Sequence, residues 1–183
     1  MEGDGVENSN PKSYSGIPEA VFVENVDEFM NLPENSEGVD KVLRSLDEQH
    51  GKYKVMEYSL ATKRRRLRQQ IPDLARSLEM IEKLKVQSTE METPFLLSDQ
   101  VFLTANVPST KTVYLWLGAN VMLEYTLEDA ENLLTANMST AKKNLDCVEH
   151  DLDFLRDQCT TTEVNMARVY NWDVKRRQAA KTS

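Results

Sequence analysis

Residues 112–134 read TVYLWLGANVMLEYTLEDAENLL, and the spacing of hydrophobic residues changes within this stretch. In its first part, Val113, Leu115 and Leu117 alternate with other residues and would share one face of a β-strand. Gly118-Ala119-Asn120 is typical of a tight turn, and a second apolar run follows it. The stretch therefore predicts a β-hairpin, and its last part begins a different structure.

A helix is predicted directly after this hairpin. Thr126 with Asp129 three residues on resembles a capping box, with Asp in place of the usual Glu or Gln. Apolar residues then recur every seven positions in two columns, namely Met138, Leu145, Leu152, Cys159 and Met166, and Leu134, Ala141, Val148, Leu155, Thr162 and Val169. Sustained heptads of this kind are typical of a coiled coil. We expect a helix over residues 126–175 and a tail over 176–183.

Another hairpin is predicted before this one, in FLLSDQVFLTANVP at residues 95–108, with its turn at Leu97-Ser98-Asp99-Gln100. Two hairpins over residues 93–125 are marginally stable alone and leave open edges. We therefore expect them to pair with β segments of other chains. The residues expected to carry this oligomerisation are Phe95, Leu97, Val101, Leu103, Val113, Leu115, Leu117, Val121 and Leu123.

A first heptad helix is predicted over residues 39–91. One column is apolar throughout and contains Val39, Leu46, Tyr53, Leu60, Leu67, Leu74 and Ile81. Its companion column is apolar only near its ends and contains Leu43, His50, Glu57, Arg64, Ile71 and Leu78. Pro72 removes one backbone donor, so a kink is expected near residues 68–72.

The two helices flank one short connector, which favours an antiparallel intramolecular pair. The predicted register places Arg64 opposite Leu155 and His50 near Val169. In that register a basic run at residues 63–68 faces an acidic stretch of the second helix, with Arg64, Arg65, Arg68, Asp151, Asp153 and Asp157 as the expected charge pairs. Exposed pairs add little free energy, but the pattern disfavours a parallel arrangement.

The N-terminal residues divide into two parts. Residues 1–15 are polar and are expected to be disordered. Residues 16–38 contain an apolar segment up to Met30 and then a linker. Two roles for the apolar segment stay open: it packs on the end of the coiled coil as a cap, or it adds exposed apolar surface there.

Composition and motifs exclude several function classes. The net charge of −8 disfavours nucleic acid, and neither a signal peptide nor an apolar run of membrane-spanning length is recognisable. Cys147 and Cys159 lack metal-ligand spacing, and so do His50 and His150. Without a phosphate-binding loop or a catalytic constellation, we expect no enzyme activity, no cofactor and no metal.

The plan of a heptad helix, two hairpins and a second heptad helix resembles the α-type subunits of the prefoldin family. The resemblance covers about residues 16–177 and rests on four stretches: GIPEAVFVENVDEFM, FLLSDQVFLTANVP, WLGANVMLEYTLEDAENLL and DLDFLRDQCTTTEVNMARVYNWDVKRR. It implies a mainly α fold with a small β segment: an antiparallel two-helix coiled coil whose connector forms two hairpins that join an inter-subunit β-barrel.

The resemblance also implies a function. Prefoldin is a heterohexamer of two α-type and four β-type subunits, so five other prefoldin subunits are the expected partners. It captures unfolded actin and tubulins at the coiled-coil tips without ATP and delivers them to the cytosolic group II chaperonin. The expected location is the cytoplasm, with the nucleus left open. The tip residues expected to contact clients are Val42, Tyr170, Trp172, Val174, Val21 and Phe22.

One alternative stays open. A prefoldin-like subunit with the same hairpins would also serve as a coiled-coil scaffold in a different multi-protein assembly.

Overall fold

The computed structural model describes residues 13–182. In chain order the elements are α1 (Val26–Met30), a single 3-10 turn (Pro33–Asn35), α2 (Val39–Val86), β1 (Met91–Ser98), β2 (Val101–Val107), β3 (Thr112–Gly118), β4 (Val121–Thr126) and α3 (Leu127–Thr182). The prediction of a mainly α fold with two long helices around two hairpins is confirmed. Disorder was expected for residues 1–15, of which 1–12 lie outside the described residues. Residues 13–15 lie against α3, where the N–H of Tyr14 donates to Oδ1 of Asp151.

The long helices differ from the prediction at their ends. α2 is one helix across Pro72 and ends at Val86 rather than at residue 91. α3 continues to Thr182, beyond the predicted end at residue 175. The extension follows from composition, because Lys, Arg, Gln and Ala at positions 175–181 are among the best helix formers.

The described chain forms two compact units. The first, which we call the strap unit, contains residues 13–65 and 145–182, and the second, the hairpin unit, contains Arg66–Asn144. In the strap unit Val42 packs with Val169, while Tyr53, further along α2, packs with Leu155 and Cys159. α2 and α3 are therefore antiparallel within this unit, as predicted.

The register between the helices differs from the prediction by roughly one heptad. His50 was expected near Val169, but its Nε2 lies 2.8 Å from Oε1 of Glu163, six residues earlier on α3. In the hairpin unit, Ile81 packs with Ala130 and Leu134. If α2 is shifted along α3 by one heptad, the same apolar columns still face each other. The heptad pattern alone therefore could not distinguish the predicted register from the observed one. The end of α2 at Val86 sets the register instead.

Each hairpin is antiparallel and closes through a two-residue turn. Phe95 pairs with Leu103 across β1 and β2, and Trp116 pairs with Met122 across β3 and β4. The second turn has positive φ at Ala119 (49°) and Asn120 (60°), the conformation of a type I′ turn. Both predicted turns are confirmed. At the start of α3, Asp129 N–H bonds Thr126 Oγ1 at 3.1 Å, which confirms the predicted cap.

Candidate functional sites

The first hairpin exposes apolar side chains on both of its faces. Phe95 and Leu103 form one cross-strand pair, and Leu96 and Phe102 form the next pair. Successive pairs point to opposite faces of a hairpin, and all four side chains are exposed. Both faces of β1 and β2 are therefore available for pairing with other chains.

The second hairpin uses its two faces differently. Val113 and Leu115 are half-buried against Ile81, Ala130 and Leu134 of the same unit. Their assignment to an exposed oligomerisation surface is therefore corrected. The opposite face is exposed and carries Tyr114, Trp116 and Met122.

The remaining predicted oligomerisation residues are all exposed, namely Phe95, Leu97, Val101, Leu103, Leu117, Val121 and Leu123. Sequence reasoning missed five other exposed apolar residues of the hairpins, namely Leu96, Phe102, Tyr114, Trp116 and Met122. Alternation showed that the strands have two faces, but it could not show which face meets the helices.

The predicted tip residues all lie in the strap unit, where their surroundings differ. Val21, Phe22 and Tyr170 are exposed. Val42 is only 4% exposed, in a cluster with Val39 and Val169, so its assignment to an exposed surface is corrected. Position 42 lies one turn after the start of α2, where Val26, Phe29 and Met30 of α1 pack against the cluster.

Trp172 and Val174 are half-buried. The indole Nε1 of Trp172 donates to Oδ1 of Asp27 at 2.6 Å, and the guanidinium of Arg176 lies 5.0 Å from the ring centroid. Trp172 therefore holds the chain near α1 in place. Sequence reasoning missed six exposed large hydrophobic residues of this unit, namely Tyr14, Leu32, Val55, Met56, Tyr58 and Val164.

The segment before α1 lies against α3, held by polar side chains of that helix. We call residues 13–25 the strap, and Asp151, Gln158 and Asn165, which lie seven residues apart, the polar column. Each member of the column accepts a backbone N–H of the strap, in the pairs Asp151–Tyr14 (2.7 Å), Gln158–Ala20 (2.8 Å) and Asn165–Val23 (2.9 Å). All three column side chains are buried. The apolar segment thus combines the two alternatives: its backbone packs along α3, and Val21 and Phe22 add exposed apolar surface.

Further bonds tie the strap to both long helices. Asn165 Nδ2 donates to the carbonyl of Val21 at 2.8 Å, and Tyr53 Oη donates to the carbonyl of Pro18 at 2.9 Å. Arg168 donates to the carbonyl of Glu24 at 2.7 Å. The sequence did contain a signal for this contact. The polar column recurs every seven residues beside the apolar columns of α3, and a coiled coil of two helices alone would leave it exposed to water.

The carboxylate of Asp151 lies at the start of the strap. Burial alone would raise its pKa, but hydrogen bonds from the Ser15 side chain, the Tyr14 and Ser15 backbone and the Ser13 side chain outweigh burial and lower the pKa. The imidazole Nδ1 of His150 lies 3.7 Å from Oδ1 of Asp151, and Tyr14 packs edge-on against the His150 ring. His150 is half-buried.

The predicted charge pairing across the helices is corrected for two carboxylates. Asp151 binds the strap, and Asp153 forms an ion pair with Arg156 on its own helix at 3.3 Å. The pairing of the other members, Arg64, Arg65, Arg68 and Asp157, stays a prediction. The cysteines suit a structural role: Cys147 is half-buried, and burial raises the pKa of the Cys159 thiol.

An open cleft of about 440 Å³ lies between the strap, α1 and the start of α2. Its apolar lining includes Val23, Phe29 and Leu46, and its charged lining includes Glu19 and Glu34. In the described part of the chain, no helix is long and apolar enough to cross a membrane. Among the same residues, no three His, Cys, Asp or Glu side chains form a group that could hold a metal ion.

Comparison with known proteins identifies the family. The model of the family described as prefoldin subunit matches residues 53–172. Prefoldin subunit 3 of Drosophila melanogaster is 64% identical over 171 residues, which cover 93% of this chain and 88% of that protein. Prefoldin subunit 3 of Homo sapiens is 58% identical over 179 residues, 96% and 90% of the two chains.

A more distant relative supports the same conclusion. Prefoldin subunit 3 of the organism Elsinoe fawcettii is 42% identical over 173 residues, which cover 93% of this chain and 85% of that protein. The match thus extends over both long helices and both hairpins. The chain belongs to the prefoldin family, whose subunits are co-chaperones that assemble with one another and are not enzymes.

Proposed function

We propose that this chain is an α-type subunit of a hexamer with five other prefoldin subunits, two α-type and four β-type in all. The complex captures unfolded proteins, actin and tubulins among them, without ATP. It then passes them to the cytosolic group II chaperonin, and it works in the cytoplasm. Family membership supports the co-chaperone role, and the exposed apolar surfaces of the chain support the two more specific steps of capture and assembly.

The observation that carries the proposal of client capture is an exposed apolar patch on the strap unit. Val21 is 81% exposed and Tyr170 is 60% exposed, and Phe22 is also exposed. We call Val21 and Phe22, which are neighbours in the chain, the apolar patch, and Tyr170 is a separate exposed side chain on α3. Val21 and Phe22 point outward because the backbone on both sides of them is fixed, at Ala20 and Val23, by the polar column. An apolar patch without shape-specific pockets suits weak binding of many unfolded sequences.

The neighbouring cleft adds a second kind of contact. Its lining combines Val23, Phe29 and Leu46 with the carboxylates of Glu19 and Glu34. An apolar side chain of a client fits the apolar part of this lining, and Glu34 offers a carboxylate to a flanking Lys or Arg. Each contact is weak, so retention of a client depends on several subunits that bind it together.

Hairpin exposure supports the proposed assembly. An isolated two-stranded hairpin is marginally stable in water, and both faces of β1 and β2 are apolar and exposed in the single chain. Pairing with hairpins of other subunits removes this surface from water. Identification of the chains that co-purify tests the point: five other prefoldin subunits support the proposal, and an unrelated set would instead support the scaffold alternative.

Client capture is tested with the assembled complex and chemically unfolded actin. The triple variant Val21→Ser, Phe22→Ser, Tyr170→Ser is expected to suppress actin aggregation less than the unmodified complex does. The matched control is Val55→Ser, Tyr58→Ser, which removes equally exposed apolar side chains from α2. If both variants lose the same activity, or neither does, the apolar patch is not the capture site.

A further inference from the structure

The polar column has a spacing that matches an extended chain. Seven residues of α-helix rise about 10.5 Å, and three residues of extended chain cover about 10 Å. The strap shows this match, because Gln158 and Asn165 are seven residues apart and bind the amides of Ala20 and Val23, which are three residues apart. From Ala20 on, an extended chain that runs parallel to α3 therefore meets the next column side chain after three residues. Before Ala20 the spacing differs, because Asp151 binds Tyr14, six residues earlier, and Gly16 between them has a φ of 66°.

The side chains of the strap follow the same period. From Ile17 on, every third residue is at least partly buried: Ile17 and Val23 are buried, and Ala20 and Val26 are partly buried. Every third side chain thus enters the space beside the helices. The two side chains between Ala20 and Val23 point away, since Val21 and Phe22 are exposed.

Recognition of the strap uses its backbone. The polar column binds main-chain amides, Asn165 also binds a carbonyl, and Tyr53 binds the carbonyl of Pro18. The side chains at the buried positions need only be small or aliphatic. Many unfolded sequences contain such a pattern, so this site is not limited to the sequence of the strap.

The chemistry of the column also favours a replaceable occupant. A segment that never leaves can be packed against apolar residues, whose exposure to water would be costly. Here the strap covers Asp151, Gln158 and Asn165, and water can bond their polar groups when the strap leaves. At Gln158 and Asn165, loss of the strap therefore exposes polar groups of α3. Ile17 packs with Tyr53, Leu155 and Cys159, so an aliphatic side chain of the replacing segment must cover that cluster again.

We propose that the polar column and Tyr53 form a binding site for an extended polypeptide segment with small or aliphatic side chains at every third position. The strap occupies this site in the free subunit, and a segment of an unfolded client replaces it. The inference rests on the proposed capture of unfolded proteins. It adds to the apolar patch a site that binds the client backbone.

The test uses the full-length chain in the assembled complex and a fluorescent peptide of residues 13–27, SYSGIPEAVFVENVD. The variant Val23→Asp places a charge at a position only 6% exposed and should release the strap, whereas Val55→Asp makes the same change at an exposed position of α2 and is the matched control. Hydrogen exchange at the amides of Ala20 and Val23 reports release. Ile17→Asp is a second release variant for the case in which Val23→Asp fails to assemble.

The expected results concern the affinity for the peptide, measured by fluorescence anisotropy. A tethered strap competes at an effective concentration on the order of millimolar, so its release should tighten peptide binding by about tenfold or more. Val55→Asp should bind the peptide as the unmodified complex does. Adding Gln158→Leu and Asn165→Leu to the release variant should remove the gain in affinity for the peptide.

Two results would overturn the inference: a released strap without tighter peptide binding, or a gain that survives the loss of Gln158 and Asn165. Reduced, carboxymethylated α-lactalbumin, which stays unfolded, should compete with the bound peptide, and failure to compete would also reject the site as a client site. Suppression of actin aggregation by the unmodified complex is measured in parallel. If that activity is present while the peptide tests fail, only this inference is wrong, and if it is absent, the proposed function itself fails.

Discussion

Asn165 forms two hydrogen bonds with the backbone at Val21 and Val23, and the pair resembles the hydrogen bonds between neighbouring β-strands. The N–H of Val23 donates to Oδ1 of Asn165 at 2.9 Å, and Nδ2 of Asn165 donates to the carbonyl of Val21 at 2.8 Å. A side-chain amide carries the same donor and acceptor as a peptide group, so one residue of α3 can act as a short strand edge. This pair fixes the strap next to the apolar patch.

Replacement of Asn165 by Leu should loosen the strap. The change keeps a similar volume but leaves the Val23 amide and the Val21 carbonyl without their partners, which costs about 1–3 kcal/mol. Hydrogen exchange at the Val23 amide should accelerate by at least about fivefold, since 1 kcal/mol corresponds to that factor. The control is Asn171→Leu, an exposed position of α3. Equal exchange rates in the two variants would contradict the role of Asn165.

Tyr53 is expected to stabilise the strap unit through its hydroxyl as well as its ring. It is fully buried, donates to the Pro18 carbonyl and accepts from Gln49 Nε2, both at 2.9 Å. Tyr53→Phe should therefore lower the free energy of unfolding by about 1 kcal/mol, and Tyr53→Ala by about 3–5 kcal/mol. Urea unfolding followed by circular dichroism measures both. Tyr58→Phe, at an exposed position, should have no effect, and a matching loss there would show that the Tyr53 bonds are unimportant.

Substitutions of Trp116 and of Leu115 should have different effects, although the two residues are neighbours in the chain. Trp116 is exposed on β3, so Trp116→Ser should impair assembly and leave the helix content of the isolated chain unchanged. Leu115 packs with Ile81 and Leu134, so Leu115→Ser should lower the stability of the chain itself by about 2–5 kcal/mol. Native mass spectrometry and thermal unfolding separate the two effects. Normal assembly with Trp116→Ser would remove this face from the predicted interface.

The start of the strap should detach in acid. Because hydrogen bonds lower the folded pKa of Asp151 below its ordinary value of 3.8, its contribution is fully present above that value and is lost as the pH falls through the folded pKa. Hydrogen exchange at Tyr14 should therefore accelerate as the pH falls below about 4, after correction for the intrinsic pH dependence of exchange.

Asp151→Asn is the control for this acid effect, because an amide cannot titrate. Exchange at Tyr14 should be faster than in the unmodified chain near neutral pH and should show no further acid step. His150 is the other titratable group that faces Asp151, at 3.7 Å, so His150→Gln tests its share. If exchange at Tyr14 still accelerates in acid in the Asp151→Asn variant, a different group causes the acid effect.

Much of the fold was predictable because it depends on local periodicity. All seven residues of the apolar column from Val39 to Ile81 are buried or half-buried, and the turns at Asp99-Gln100 and Ala119-Asn120 are where turn chemistry places them. The register was not predictable. His50 meets Glu163 rather than Val169, because heptad-shifted pairings bury the same columns and differ only in where α2 ends.

The candidate sites were only partly predictable for a related reason. Val21, Phe22 and Tyr170 are exposed as expected, but Val42 is covered by the chain around α1, and Leu115 faces the helices of its own unit. Strand alternation defines two faces without saying which one is inside. A helical heptad likewise shows a polar column without saying what binds it.

The sequence by itself determined two heptad helices, two hairpins with their turns and the family to which they belong, since each follows from residues near one another in the chain. Only the tertiary structure decided that the strap lies along Asp151, Gln158 and Asn165. Those bonds join residues about 140 positions apart, and they form because the backbone of one segment meets side chains whose spacing happens to match it. The strap has small or aliphatic residues at every third position from Ile17 to Val26, but that local pattern does not say which face of which helix it meets.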